Sequence, residues 1–294
     1  TNIFVAEVHH DIDAVTKRLL ERGIPSPQLI PTADSLLWHT DSVGRVWRLL
    51  SYEGETTLEK LENVVQARSA GRLIARFHQA LTDLDWQFRS VRPGAHDTNS
   101  HMELLEQALE EYSDHRLWAD VAPLAETILQ GWDDWEGPKE LPHRIIHGDL
   151  KVSNIRFIGD DALCLIDLDT MARGTLDVEL GDAMRSWCNR SSKDEASPEF
   201  DLEIFEHAMM GYLPESELTD LEFAAIVPGI ERICWELAAR FARDGLAESY
   251  FGFNPRFGTR GDHNLLRARG QACLAASVRS KRLLAEKALG EIRG

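Results

Sequence analysis

The spacing of hydrophobic residues switches along the chain between a helical and a strand period. Between residues 5 and 23, Val8, Ile12, Val15 and Leu19 recur every three to four positions and Gly23 follows as a C-cap, which predicts one amphipathic helix. The prolines of IPSPQLIP (24–31) hold the next stretch extended. SLLWHT and GRVWRLLSY then flank a turn at Asp41 to Gly44 and predict a hairpin. A lone hairpin is marginal, so it should join a larger sheet or lie on another surface. From Thr57 the helical period returns, with Leu61, Val64, Val65, Leu73, Ile74, Phe77 and Leu81 on one stripe. Further helices are expected near 101–112 and 116–131. The short runs HRIIH, NIRFI and ALCLI read as strands, the last two joined by a turn at Gly159 to Asp161. Beyond about 177 the pattern is mostly helical, over 199–211, over 217–243 with a break at Pro228, and over 263–289. No internal repeat or low-complexity tract interrupts it.

This order predicts an α+β chain of two parts, a small N-terminal lobe of helix plus hairpin (1–54) and a large, mainly helical lobe (55–294). A ligand would sit in the cleft between them. With 294 residues, 43% of them hydrophobic, the chain can bury a substantial core. A formal net charge of −17 without a basic patch argues against duplex nucleic acid and against an anionic membrane as partners. It also means that a phosphate-rich ligand needs local neutralisation, by a bound cation or by a few placed Lys and Arg. The sequence shows neither an apolar run of membrane-spanning length nor a signal-peptide pattern, and a cytoplasmic location is the expectation. Cys164, Cys188, Cys234 and Cys273 form no CxxC pair and are expected to be buried thiols.

Between the predicted strands lie HGDLKVSNIRF (147–157) and LCLIDLDT (163–170). Phosphoryl transfer to a hydroxyl needs an acid to orient the hydroxyl and take its proton, oxygen ligands for magnesium on the nucleotide, and a cation near the moving phosphoryl group. Asp149 is the candidate base and Lys151 the candidate phosphate contact. Asn154 and Asp167 carry the hard oxygens that magnesium prefers. His147 and Gly148 are expected to shape the loop. Each short pattern alone fits an ordinary strand-end turn; their conjunction, in order, around one hairpin is far more specific.

These residues resemble the choline kinase and aminoglycoside phosphotransferase superfamily, whose fold is protein-kinase-like. The likeness is closer to the branch of N-acetylhexosamine 1-kinase, through IIHGDLKVSNI, LIDLDTMARGTLDVELGDAMR, ELAARFARDG with the nearby SYF, and DHNLLRARGQ. It covers nearly all the chain, including PGAHDT (93–98). The resemblance implies ATP and Mg2+ as cofactors and a sugar as small-molecule substrate, phosphorylated at its anomeric hydroxyl. It places Arg240 and Tyr250 in the sugar pocket, with Glu236 of the same helix counted as substrate-binding, and Ser51 and Tyr52 where the backbone meets adenine. Asp169 would support the metal or touch the sugar. Glu236, Arg240 and Asp244 share one helix face, which equally fits a solvated ion-pair ladder. Asp182 reads as an anchor of the catalytic loop, and Arg185 fits either role. His9 and His10 read as exposed helix surface, and WDDWEG (132–137) as a loop packed by its tryptophans.

In the resembling kinases three strands precede the first helix and supply a loop over the phosphates with a basic or amide side chain. TNIFVAEVHH aligns just after that point, so the small lobe is expected to be truncated and Asp13 to lack its basic partner. Weak nucleotide binding and self-association through the exposed edge of the hairpin follow. The alternatives are a kinase for an aminoglycoside or amino alcohol, and a nucleotide- or sugar-binding relative without turnover.

Overall fold

The computed structural model describes residues 5–189, 191 and 194–294. The first helix forms as its spacing predicts: α1 (Val8–Glu21) buries Val8, Ile12, Val15 and Leu19, and Gly23 follows at φ 73°. His9 is buried on α1 and stacks on Trp38 at 5.3 Å between ring centroids, which overturns its reading as exposed surface.

The hairpin is antiparallel but short. β1 (His39–Thr40) and β2 (Val46–Trp47) form their own two-stranded sheet. The Asp41 carboxylate closes its turn by accepting from the backbone of Val43 and Arg45 and from the Trp47 indole. Beyond β2 the chain pairs instead with the proline-held segment: Leu29 bridges Leu50, and the Ser51 N–H donates to the Gln28 carbonyl at 2.8 Å.

A helix does not begin at Thr57. Thr56 and Thr57 form β3 (Thr56–Thr57) opposite Phe157 and Arg156. The helix α2 (Val64–Leu81) starts later, where the Asn63 side chain accepts from the Gln66 N–H and caps it. Two β-branched residues beside an open strand edge outweigh the helical stripe there. The helices α3 (Thr98–Glu111) and α4 (Trp118–Asp133) follow. Next come β4 (Arg144–Ile146), β5 (Ile155–Ile158) and β6 (Asp161–Leu165), the three predicted strands. β5 lies between β3 and β6. β7 (Ala172–Gly174) was not legible as a strand; it pairs with β4, Ile145 opposite Arg173.

The remaining chain is α5 (Leu176–Trp187), α6 (Leu202–Tyr212), α7 (Asp220–Ala224), α8 (Ile226–Ala247) and α9 (Arg260–Arg293). The expected break at Pro228 falls at Ala225 instead. Pro228 sits in the first turn of α8, where its missing N–H has no intrahelical acceptor to lose. α8 runs through the middle of the large lobe. It crosses α5 so closely that a Cβ on Gly229 would lie 2.4 Å from the Asp177 carbonyl oxygen.

The result is a small sheet-bearing lobe and a large helical lobe, and no helix among the described residues is long and apolar enough to cross a membrane. Cys164, Cys188 and Cys234 are buried, and burial pushes the thiols of Cys164 and Cys234 up to about 12. Trp132 and Trp135 stack at 4.9 Å, though Trp132 still belongs to α4.

Candidate functional site

The loop after β4 is built on α5. Glu179, buried on that helix, accepts from the backbone N–H of His147 at 2.7 Å and of Gly148 at 2.9 Å. Burial raises the Glu179 pKa, but the His78 hydrogen bond and the positive potential of nearby histidines outweigh it and hold the carboxyl below its usual range. Further along, the Trp187 indole donates to the Leu150 carbonyl at 2.8 Å and the Ser186 hydroxyl accepts from the Val152 N–H. One helix therefore fixes 147–152 at several points.

Within the loop, His147 Nε2 lies 2.9 Å from the Ile166 carbonyl, so it carries the proton, and Nδ1 accepts from the Asp149 N–H. Gly148 has φ 77°, and a Cβ there would lie 2.7 Å from the Thr170 carbonyl oxygen. Both observations explain the HG pair as loop shape.

The four residues read as a phosphoryl-transfer set do converge. Lys151 Nζ lies 2.5 Å from Asp149 Oδ2 and 3.9 Å from the Asp167 carboxylate. Asn154 is buried and its Nδ2 donates to Asp149 Oδ2 at 3.0 Å and to the Asp149 carbonyl at 2.8 Å. The Ile166 N–H donates to the Asn154 carbonyl at 2.9 Å, which closes the β5 and β6 hairpin and brings Asp167 opposite. Asp167 itself is left-handed, φ 63° and ψ 52°, a conformation that Asp tolerates better than most residues and that turns the chain out of β6.

No group of three His, Cys, Asp or Glu suited to a metal occurs among the described residues. Magnesium does not need one: it is held by one or two protein oxygens with phosphates and water completing the shell. Asn154 fits, because its nitrogen is committed to Asp149 and Oδ1 remains as the oxygen, and so does the half-exposed carboxylate of Asp167.

Most of the other predicted site residues line cavities. Ser51 and Tyr52 line one of about 330 Å³ with Ile12, Leu50, Ile166 and Asp167. The Ser51 N–H already donates to Gln28, so it is not available to a base. The Tyr52 ring lies under the Arg156 guanidinium, 4.5 Å from it. A second cavity, about 500 Å³, is walled by Gly148, Asp169 and Thr170 on one side and by the loop 92–97 on the other. Arg240 and Tyr250 do share a cavity, about 190 Å³, but it lies across that loop from the catalytic residues.

Glu236 lines none of these. It is fully buried behind the wall, where it accepts from Thr98 at 2.8 Å, meets His96 Nδ1 at 3.0 Å and lies 3.5 Å from Arg240. The Glu236, Arg240 and Asp244 face is thus no solvated ladder. Asp244 accepts from the backbone of Ser249, Tyr250 and Phe251 and from the Asn264 amide, and so folds the SYF turn. The sequence offered no role for PGAHDT; the structure makes it the partition between the two cavities, pinned by Glu236 and by Arg232, which donates to the His96 carbonyl.

Asp182 does not anchor the catalytic loop. It pairs with Arg185 at 2.5 Å, and the anchoring carboxylate is Glu179, one helical turn earlier. Asp169 is likewise engaged, by both terminal nitrogens of Arg48 at 2.5 and 2.6 Å. Asp13 pairs with Lys17 on its own helix. Sequence reasoning missed Glu179, Arg48, His96 and Arg232, whose partners lie far away along the chain.

The chain is 27% identical over 210 residues to a homoserine kinase of a Bradyrhizobium species, covering 71% of this chain and 60% of that one. It is 30% identical over 187 residues to the homoserine kinase of Rhizobium meliloti, covering 63% and 52%. The chain thus spans little more than half the length of these relatives. Among solved structures, an aminoglycoside phosphotransferase from Alicyclobacillus acidocaldarius superposes with TM-score 0.62 at 13% identity, over 98% of this chain and 84% of that one. The amicoumacin kinase hAmiN, in complex with AMP-PNP, Ca2+ and Ami, gives 0.58 at 14% identity, over 98% and 78%. Both likenesses are of fold. Residues 5–214 match the phosphotransferase enzyme family as a whole, and on that match the chain belongs to it.

Proposed function

We propose that the protein transfers a phosphoryl group from ATP, with Mg2+, to a sugar hydroxyl, the anomeric hydroxyl of an N-acetylhexosamine. The observation that carries phosphoryl transfer is the convergence of Asp149, Lys151, Asn154 and Asp167 on a loop braced by α5. Asp149 orients the acceptor hydroxyl and takes its proton, and Lys151 both steadies Asp149 and offers its charge to the phosphoryl group. Asn154 and Asp167 would hold magnesium, which would neutralise phosphate charge that an acidic chain otherwise repels. Arg240 and Tyr250 carry a guanidinium fork and a phenol that suit a neutral polyol, but their cavity lies across the loop 92–97 from Asp149, so a sugar held there reaches the base only if that loop gives way.

A second reading takes the hydroxyl of an amino acid or amino alcohol as acceptor. It is favoured by the homoserine kinase relatives and by the 500 Å³ cavity beside Gly148, whose lining carries both acidic and basic side chains, among them Asp97, Asp169, Lys139 and Arg173. The test is ATP turnover on a panel of N-acetylhexosamines, homoserine, aminopropanol and an aminoglycoside, with Asp149→Asn as control. Turnover should fall by roughly 10² to 10⁴ in that variant while ATP affinity is nearly kept. Turnover on none of the panel, with nucleotide still bound, would leave a binding protein.

A further inference from the structure

The Arg48 and Asp169 pair stands where three cavities meet. Arg48 and Asp167 are the two residues shared by the Ser51 and Tyr52 cavity and a larger one of about 840 Å³ bordered by α1 and the hairpin. Asp169 lines that larger cavity and also the 500 Å³ cavity beside Gly148. A nucleotide with its base at Ser51 and Tyr52 and its phosphates at Asp167 must therefore pass Arg48.

The guanidinium is held by both oxygens of one carboxylate, at 2.5 and 2.6 Å. That is the same two-pronged geometry with which Arg grips phosphate. The pair is not sealed in: the Arg48 side chain is 26% exposed and Asp169 11%. Asp169 is the one carboxylate bound by Arg48 among the described residues, while Asp167 lies near enough to add to its electrostatic environment. A phosphate and a carboxylate thus compete for one fork.

We propose that Arg48 is a phosphate-binding residue that exchanges Asp169 for the nucleotide phosphates, and that this exchange frees Asp169 to act on the acceptor in the 500 Å³ cavity beside Gly148. This rests on the phosphoryl transfer proposed above and seats the nucleotide base in the cavity lined by Ser51 and Tyr52. The guanidinium keeps an anionic partner throughout, while the displaced Asp169 carboxylate loses its own and must draw on donors in the cavity beside Gly148. The exchange couples the two sides of the site, since Asp169 lines both the cavity bordered by α1 and the hairpin and the cavity beside Gly148. Nucleotide then prepares the acceptor side, and acceptor groups that draw on Asp169 strengthen nucleotide binding in return.

Binding of adenosine, ADP and ATP by calorimetry, with and without Mg2+, tests this on the full chain. Arg48→Gln should weaken ADP and ATP about 10- to 100-fold, the loss of a charge-assisted contact, and leave adenosine unchanged. Arg48→Lys should retain part of the phosphate preference. Asp169→Asn removes the competing anion and should tighten Mg2+-free ADP several-fold. Thermal melting of each variant confirms that it is folded. An equal loss for adenosine and ADP in Arg48→Gln, or weaker Mg2+-free ADP binding in a folded Asp169→Asn, overturns the exchange and makes the pair structural. Wild-type protein that binds none of the three nucleotides overturns the proposed function itself, and the exchange with it.

Discussion

Glu179 and Glu236 each hold a functional loop from beneath, and neither touches the space where chemistry would occur. Removing one side of such a contact leaves buried donors without a partner, which is far more harmful than the net worth of the bond. Glu179→Ala strands the N–H groups of His147 and Gly148, and should lower the unfolding free energy by about 2–5 kcal/mol in denaturant titration. Glu179→Gln keeps one acceptor and should lose less. The Glu236 and His96 pair carries a pH signature. Burial lowers the His96 pKa, but Glu236 more than offsets it, so the folded value lies above the ordinary 6.5. Burial raises Glu236 and His96 more than offsets it, so that folded value lies below the ordinary 4.5. The histidine's contribution is complete below 6.5 and is lost as pH rises through its raised value. The glutamate's is complete above 4.5 and is lost as pH falls through its lowered value. The stability difference between wild type and His96→Asn should therefore be largest between these limits and shrink on the alkaline side, read from urea titrations across the range.

At the scale of elements, α5 is the part on which function hangs, and its position is set by contact with α8. A Cβ on Gly181 would lie 2.5 Å from the Gly229 carbonyl oxygen, and one on Gly229 as close to α5 in return. Gly181→Ala must push the helices apart, which overpacking data put at about 1–3 kcal/mol. Because α5 also carries Glu179, Ser186 and Trp187, the same substitution should reduce turnover beyond what the lost stability explains, measured at a temperature where the variant is fully folded. The periodicity foretold α1, α3, β4, β5 and β6, whose patterns are long or bounded by clear turns. It failed at Thr56 and Thr57 and at Ala172 to Gly174, where two or three residues become strand only because a partner strand lies beside them.

For the molecule as a whole, the hairpin remains the least covered part. Val43 is 71% exposed, Trp47 57% and Leu49 64%, and β1 and β2 pair with each other alone among the described strands. An apolar strand edge of this kind is a template on which a second copy can pair. Sedimentation should show concentration-dependent self-association of this 294-residue chain that Val46→Lys with Trp47→Lys abolishes. Unchanged sedimentation in the double variant would remove the edge as the contact.

The sequence by itself determined which candidate residues come together and most of the strands and helices that frame them. Asp149, Lys151, Asn154 and Asp167 fall within one loop and one hairpin, so local spacing is enough to bring them together. It also carried the likeness to the phosphotransferase family, because those residues occur in a contiguous motif. Tertiary structure decided the rest. Glu179 meets His147 from 32 residues away, Glu236 meets His96 from 140, and Arg48 meets Asp169 from 121. No periodicity encodes such pairs, since each partner alone reads as an ordinary charged residue, and only packing of the lobes removes both from water and forces them to find one another.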